Sequence, residues 1–197
     1  MPATITAPVA FTDLYPLFAQ RLAAAGGQAI QTSGLDELAS AIVERFPAQP
    51  PGASAERVVW IAEETAGIAP GLLAALTARG LTPRVSTGPG EVRDQLLGLA
   101  IARATIAETG SELLVEPTVA GRSVTLMTET LIVVCRQATL IADLTAAAGI
   151  LREVSATGAS YATFITGPSR TADIERTLAV GVQGPGVLHV IFTDKIS

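Results

Sequence analysis

The feature that most restricts this chain is the run Leu131-Ile132-Val133-Val134-Cys135, an unbroken apolar stretch that reads as a buried strand. Comparable runs recur along the sequence with helical segments between them. Arg57-Val58-Val59-Trp60-Ile61-Ala62, Thr82 to Ser86, Ala104 to Glu108, Tyr161 to Thr166 and Leu188 to Thr193 read as strands. Gln28 to Thr32 is a shorter candidate. Helices are predicted over Phe11 to Ala25, where Leu14, Leu17, Phe18 and Leu22 share one face and Gly26-Gly27 end it. Others are predicted over Leu35 to Phe46, Pro70 to Arg79, Glu91 to Leu99, Ile141 to Glu153 and Thr171 to Val180. Strands alternating with helices imply a mainly parallel sheet with helices on both faces, an α/β fold of three layers. Glu112 to Glu116 and Arg122 to Met127 read as an antiparallel pair of short strands turning at Gly121.

A chain of 197 residues holds one well-packed domain, predicted here over 1–197. The Pro-rich stretch from Pro47 to Ala55 is a loop rather than a boundary, because too little chain precedes it for a separate core. Apolar residues at 49% and charged residues at 16% exclude a disordered protein. Aromatics at 4% leave the core to Ala, Val, Leu and Ile. A net charge of -5 with no Lys/Arg cluster argues against nucleic acid as a partner. No targeting segment and no stretch of membrane-spanning length is visible, so a cytoplasmic protein is expected, with room for a homo-oligomer. Cys135 is the only cysteine. It excludes an intrachain disulfide and any cysteine-ligated cluster or zinc site built from this chain alone. Within its apolar run it reads as a buried thiol rather than a nucleophile.

Ligands of open α/β sheets bind at the carboxyl ends of strands. Two segments place polar groups there. In the first, a strand ending Ile165-Thr166 meets Gly167-Pro168 and then Ser169-Arg170-Thr171-Ala172-Asp173-Ile174-Glu175 at a predicted helix start. Ser169 or Thr171 can cap that helix, its free N–H groups can receive an anion, and Arg170 can add a two-pronged contact to a carboxylate or phosphate. Asp173 and Glu175 in the first turn have a plainer account, since negative charge there favours the helix. The second segment is Ile106-Ala107-Glu108-Thr109-Gly110-Ser111, where Glu108 can serve as base, nucleophile or ligand for a hydroxyl. It is equally an ordinary polar strand end. His189, in an alternating strand and the only histidine, reads as a half-buried strand residue. Gly181 to Gly186 follows a predicted helix and precedes a strand, the reverse of a dinucleotide fingerprint.

The text of three blocks, Ile106 to Gly110, Ile165 to Glu175, and Gly181-Val182-Gln183-Gly184-Pro185 followed by Leu188 to Ile191, resembles the LUD-domain family, of the lactate utilisation protein C type. The match is clearest from Thr82 to Asp194. The resemblance implies a three-layer fold like the NagB/RpiA/CoA-transferase superfamily. It implies a subunit or accessory factor in oxidation of L-lactate to pyruvate, alongside iron–sulfur partner proteins that carry the electrons, with no cofactor in this chain. The strand-end reading adds Glu108 and Asp173 as catalytic candidates. Thr109, Gly110, Gly167, Ser169, Arg170, Thr171, Glu175, Gln183 and Gly184 become ligand-binding candidates for a small anion. Two family histidines have no counterpart: Gln183 stands at one place, and Leu126 to Leu131 lacks the other. Gln183 preserves hydrogen bonding but cannot titrate. Two other readings stay open: a free-standing transferase or isomerase with Glu108 as nucleophile or base, and a non-catalytic interaction protein with a degenerate site.

Overall fold

The computed structural model describes residues 10–158, 161–171, 179–181 and 184–196. In chain order the elements are α1 (Phe11–Ala24), β1 (Gln28–Gln31), α2 (Gly34–Glu44), β2 (Val58–Ile61), α3 (Glu63–Ile68), α4 (Pro70–Ala78), β3 (Thr82–Val85), α5 (Pro89–Val92) and β4 (Leu97–Ile101). There follow β5 (Ala104–Ile106), β6 (Ser111–Val115), α6 (Val119–Met127), β7 (Thr130–Arg136), β8 (Leu140–Ile141), α7 (Leu144–Ala156), β9 (Ala162–Ile165), β10 (Arg170–Thr171), β11 (Ala179–Val180) and β12 (Val187–Thr193).

The central sheet has the order β1-β12-β7-β4-β2-β3, and all its pairings are parallel. Its middle strands are apolar because both faces are covered. Along β7 the side chains alternate between two cores. Ile132 and Val134 join Leu38, Ile42, Leu72 and Leu76 from α2 and α4. Leu131, Val133 and Cys135 join Leu14, Phe18 and Leu22 from α1. That alternation is the period-2 geometry of a strand. Pro83 lies in β3, at the sheet edge, where its missing N–H costs no ladder bond. Phe192 anchors α1, with its ring 5.0 Å from Phe18 and 5.5 Å from Tyr15.

The central parallel sheet is flanked by helices as expected, and its second face adds an element the sequence did not suggest. Beside α1 it carries a second, four-stranded sheet ordered β8-β5-β6-β9. There β6 pairs antiparallel with β5 and β9. Two expectations are corrected. Arg122 to Met127 is not a strand but part of α6, nucleated by Thr118, whose hydroxyl accepts the Gly121 N–H at 3.0 Å. The helix read over Glu91 to Leu99 ends at Val92, and Leu97–Ile101 is β4, inserted between β2 and β7. An apolar stretch of that length suits either state, and the vacancy between two strands decides it. Trp60 is buried as expected, packing on Val92 and Val124 and donating its indole N–H to Gln95.

Candidate functional site

Strands β5 and β9 end at Ile106 and Ile165, and both sequence segments leave from those ends. Cross-strand pairing of β6 with β9 sets Glu112 opposite Ile165, which brings the segments together. Ser111 Oγ lies 2.6 Å from Thr166 Oγ1 and donates to Thr109 Oγ1 at 2.7 Å, so three hydroxyls form one chain across the two blocks. Gly110 and Gly167 press against the end of α1. Both have positive φ, +67° and +72°, and a Cβ there would lie 2.5 Å from the Leu22 nitrogen or the Ala25 carbonyl oxygen. Only glycine fits either place.

Glu108 is exposed, and its Oε2 accepts the Leu144 N–H at 3.2 Å in the first turn of α7. Asp143 caps the same helix through the Ala146 N–H at 2.8 Å. Glu108 thus offsets the positive end of α7, which is a structural role beside the chemical ones expected of it.

The helix expected from Thr171 to Val180 is absent at both of its described ends. Arg170 and Thr171 form β10, paired antiparallel with Val180 and Ala179 of β11. The Ser169 N–H donates to the Pro185 carbonyl at 2.9 Å, and the Ser169 carbonyl accepts the Gly181 N–H at 2.9 Å. Those backbone bonds hold Ser169 in a ladder, so it does not cap a helix at Thr171. Gly184 packs on Ser169, where a Cβ would sit 3.1 Å from the Ser169 Cβ. The Arg170 guanidinium donates to the Ala25 carbonyl and lies over Gly26. Asp173, Glu175 and Gln183 lie outside the described residues.

The described residues of the two segments, with Gly184, form a rim around the end of α1. It stands at the carboxyl ends of β5 and β9, yet at the amino-terminal edge of the central sheet, where Gly26-Gly27 enter β1 and Pro185-Gly186 enter β12.

The carboxyl edge of the central sheet holds something else, a cavity of ≈ 150 Å³ lined in part by Glu64, Thr65, Arg103, Glu116, Arg136 and Thr139. Glu116 follows β6 and is only 5% exposed. Its Oε2 accepts the Thr125 hydroxyl at 2.8 Å, whereas Oε1 has no partner. Burial pushes its carboxyl up to about 7; the Thr125 hydrogen bond opposes this, the Glu64 charge reinforces it, and Arg122 pulls back. Glu64 Oε2 is likewise buried without a partner, against the first turn of α6. Sequence reasoning missed both acids. Their only signal was position: each lies within two or three residues of a strand's carboxyl end.

Glu112 was missed too. It is fully buried opposite Thr105, and neither its carboxylate oxygens nor the Thr105 hydroxyl has a partner. Burial holds its pKa well above the usual carboxylate range. Cys135 is a buried strand thiol as expected, its pKa pushed up by burial and then by Glu112. His189 is half-buried, and its pKa is lowered by burial and by Arg45, which keeps the imidazole neutral.

A family model described as the LUD domain matches residues 90–193, more than half of the chain. The chain belongs to the LUD-domain family. Among its relatives, "Lactate utilization protein C" of Bacillus subtilis is 38% identical over 103 residues, covering 50% of this chain and 43% of that protein. The Shouchella clausii protein of the same name is 37% identical over 102 residues, covering 50% and 44%. "Lactate utilization protein C 1" of Bacillus mycoides is 31% identical over 136 residues, covering 64% and 58%. The matches thus span about half the length of these relatives. The crystal structure of a DUF162 family protein from Deinococcus radiodurans superposes with a TM-score of 0.68 over 94% of this chain and 99% of that one, at 19% identity. Among the described residues no helix is long and apolar enough to cross a membrane.

Proposed function

We propose that this LUD-domain chain serves the oxidation of L-lactate to pyruvate in the cytoplasm, as a subunit or accessory factor like lactate utilisation protein C. Its iron–sulfur partner proteins would carry the electrons. The relatives' names support the pathway, and the matched region spans the whole rim from Glu108 to Gly184. A chain whose single cysteine is buried in β7 suits a division of labour in which the clusters belong to other subunits.

The rim binds a small anionic ligand. The observation that carries this reading is the Ser111–Thr166 hydrogen bond, which joins the two blocks, with Arg170 held on the Ala25 carbonyl at the end of α1. Thr166 donates to Ser111 and Ser111 to Thr109, which leaves the Thr109 O–H as the chain's free donor, and Arg170 offers the positive charge. Thr171 lies in β10 and Ser169 just before it, rather than at a helix start. Glu108 and Asp173 are the acids proposed to act on a hydroxyl of the ligand, with Glu175, Gln183 and Gly184 as further proposed ligand contacts.

The test is growth of an in-frame deletion strain on L-lactate, with glucose as control. Growth on lactate alone should be lost, and restored by the wild-type gene but not by Ser169→Ala or Asp173→Ala. Undiminished growth on lactate, or full rescue by both variants, overturns the reading.

A further inference from the structure

The cavity at the carboxyl ends of β2, β4 and β7 is separate from the rim and is built unlike it. Two acids line it, and each holds a buried oxygen without a partner: Oε1 of Glu116 and Oε2 of Glu64. A buried acceptor without a donor carries the full cost of its desolvation, so such a pair is incomplete until something donates to it. The two carboxyls are close enough for the Glu64 charge to raise the Glu116 pKa, and they therefore call for positive charge as well as hydrogen bonds.

Around the same cavity stand two guanidinium groups. Arg136, exposed at the end of β7, makes no ion pair among the described residues. Arg103 has a half-exposed side chain and reaches Glu153 at 3.3 Å across solvent, an attachment of little energetic weight. Acids and arginines thus line one cavity, the acids the more buried and the arginines the more exposed. The complementary ligand is a small molecule with a cation at one end and an anion at the other.

We propose that this cavity binds a small aminocarboxylate, its ammonium group on Glu116 and Glu64 and its carboxylate on Arg136 and Arg103. An ammonium supplies three donors and a full charge to the acid pair, whereas a hydroxyl supplies one donor and no charge. A divalent metal fits less well, because the described residues offer no group of three His, Cys, Asp or Glu side chains to hold one. A space of ≈ 150 Å³ admits only a small ligand. The site does not rest on the lactate reading. It places an amino acid, as effector or substrate, on the opposite edge of the central sheet from the rim.

The experiment is calorimetric titration of the full chain at pH 7 with four compounds of one carbon frame: alanine, lactate, propionate and isopropylamine. Alanine should bind at least tenfold more tightly than the other three, since only it satisfies both ends. Because Glu116 titrates at about 7, ammonium binding at pH 7 should also release a fraction of a proton, seen as a heat that varies with the buffer's ionisation enthalpy. Glu116→Gln keeps the Thr125 hydrogen bond and the shape but removes the charge; it should weaken alanine at least tenfold and abolish the proton release. Glu64→Gln, at a less buried position, should weaken alanine in the same way and serves if the first variant does not fold. Equal binding of lactate and alanine overturns the ammonium assignment. No binding of alanine, or binding unchanged in both variants, overturns the site.

Discussion

Replacing Glu116 by glutamine should change how stability depends on pH, by an amount the structure fixes. In the unfolded chain this carboxyl titrates near 4.5; in the fold, burial and the Glu64 charge raise it to about 7 against the pull of Thr125 and Arg122. The native state therefore holds the proton more tightly than the unfolded state. Its stabilising contribution is complete below pH 4.5 and is lost as the pH climbs to 7, after which the loss is constant. At 1.36 kcal/mol for each pH unit, the span from 4.5 to about 7 corresponds to about 3 kcal/mol. Glutamine has no proton to lose, and Glu112 contributes equally to both proteins. The stability of the wild type minus that of Glu116→Gln should therefore fall by about 3 kcal/mol between pH 4 and pH 8. Urea unfolding followed by circular dichroism measures it. With a slope of about 2 kcal/mol per molar urea, the gap between midpoints changes by about 1.5 M. Parallel curves for the two proteins across this range would refute the burial argument and show that Oε1 finds a donor in solution.

Other perturbations follow from the same packing. Glu112→Met replaces a buried carboxyl with no partner by an apolar chain of similar reach, so it should raise stability at pH 7 by about 1–3 kcal/mol in urea unfolding. A loss of stability would mean that an ordered water satisfies Glu112. Phe18→Ala removes the fully buried ring that packs on Phe192 and should cost about 3–5 kcal/mol, seen as a lower unfolding midpoint. Gly167→Ala forces a side chain into a positive-φ site 2.5 Å from the Ala25 carbonyl oxygen. It should destabilise by more than about 1 kcal/mol and loosen the rim, whereas an unchanged midpoint would mean that α1 gives way easily.

Much of this protein is local and was legible in its residues. The run Leu131 to Cys135 could only be buried, and the central sheet places it between β4 and β12. Leu14, Phe18 and Leu22 share a helical face, so α1 had to lie against apolar surface. The text of the blocks from Ile106 to Gly110, from Ile165 to Glu175 and from Gly181 to Pro185 with Leu188 to Ile191 identified the family, because several of their described residues meet around the end of α1 where few alternatives fit. Glycine at 110 and 167 is one such case. Other features were decided only by what lies far away in the chain. The apolar stretch Leu97 to Ile101 becomes a strand because β2 and β7 leave a place for one. Arg170 and Thr171 extend rather than coil because Val180 and Ala179 return to pair with them. The acids at 64 and 116 come from opposite sides of the chain's midpoint, and nothing in either neighbourhood names the other. Burial and charge pairing depend on three-dimensional distance, which a linear pattern does not encode, so the cavity they line belongs to the tertiary structure alone.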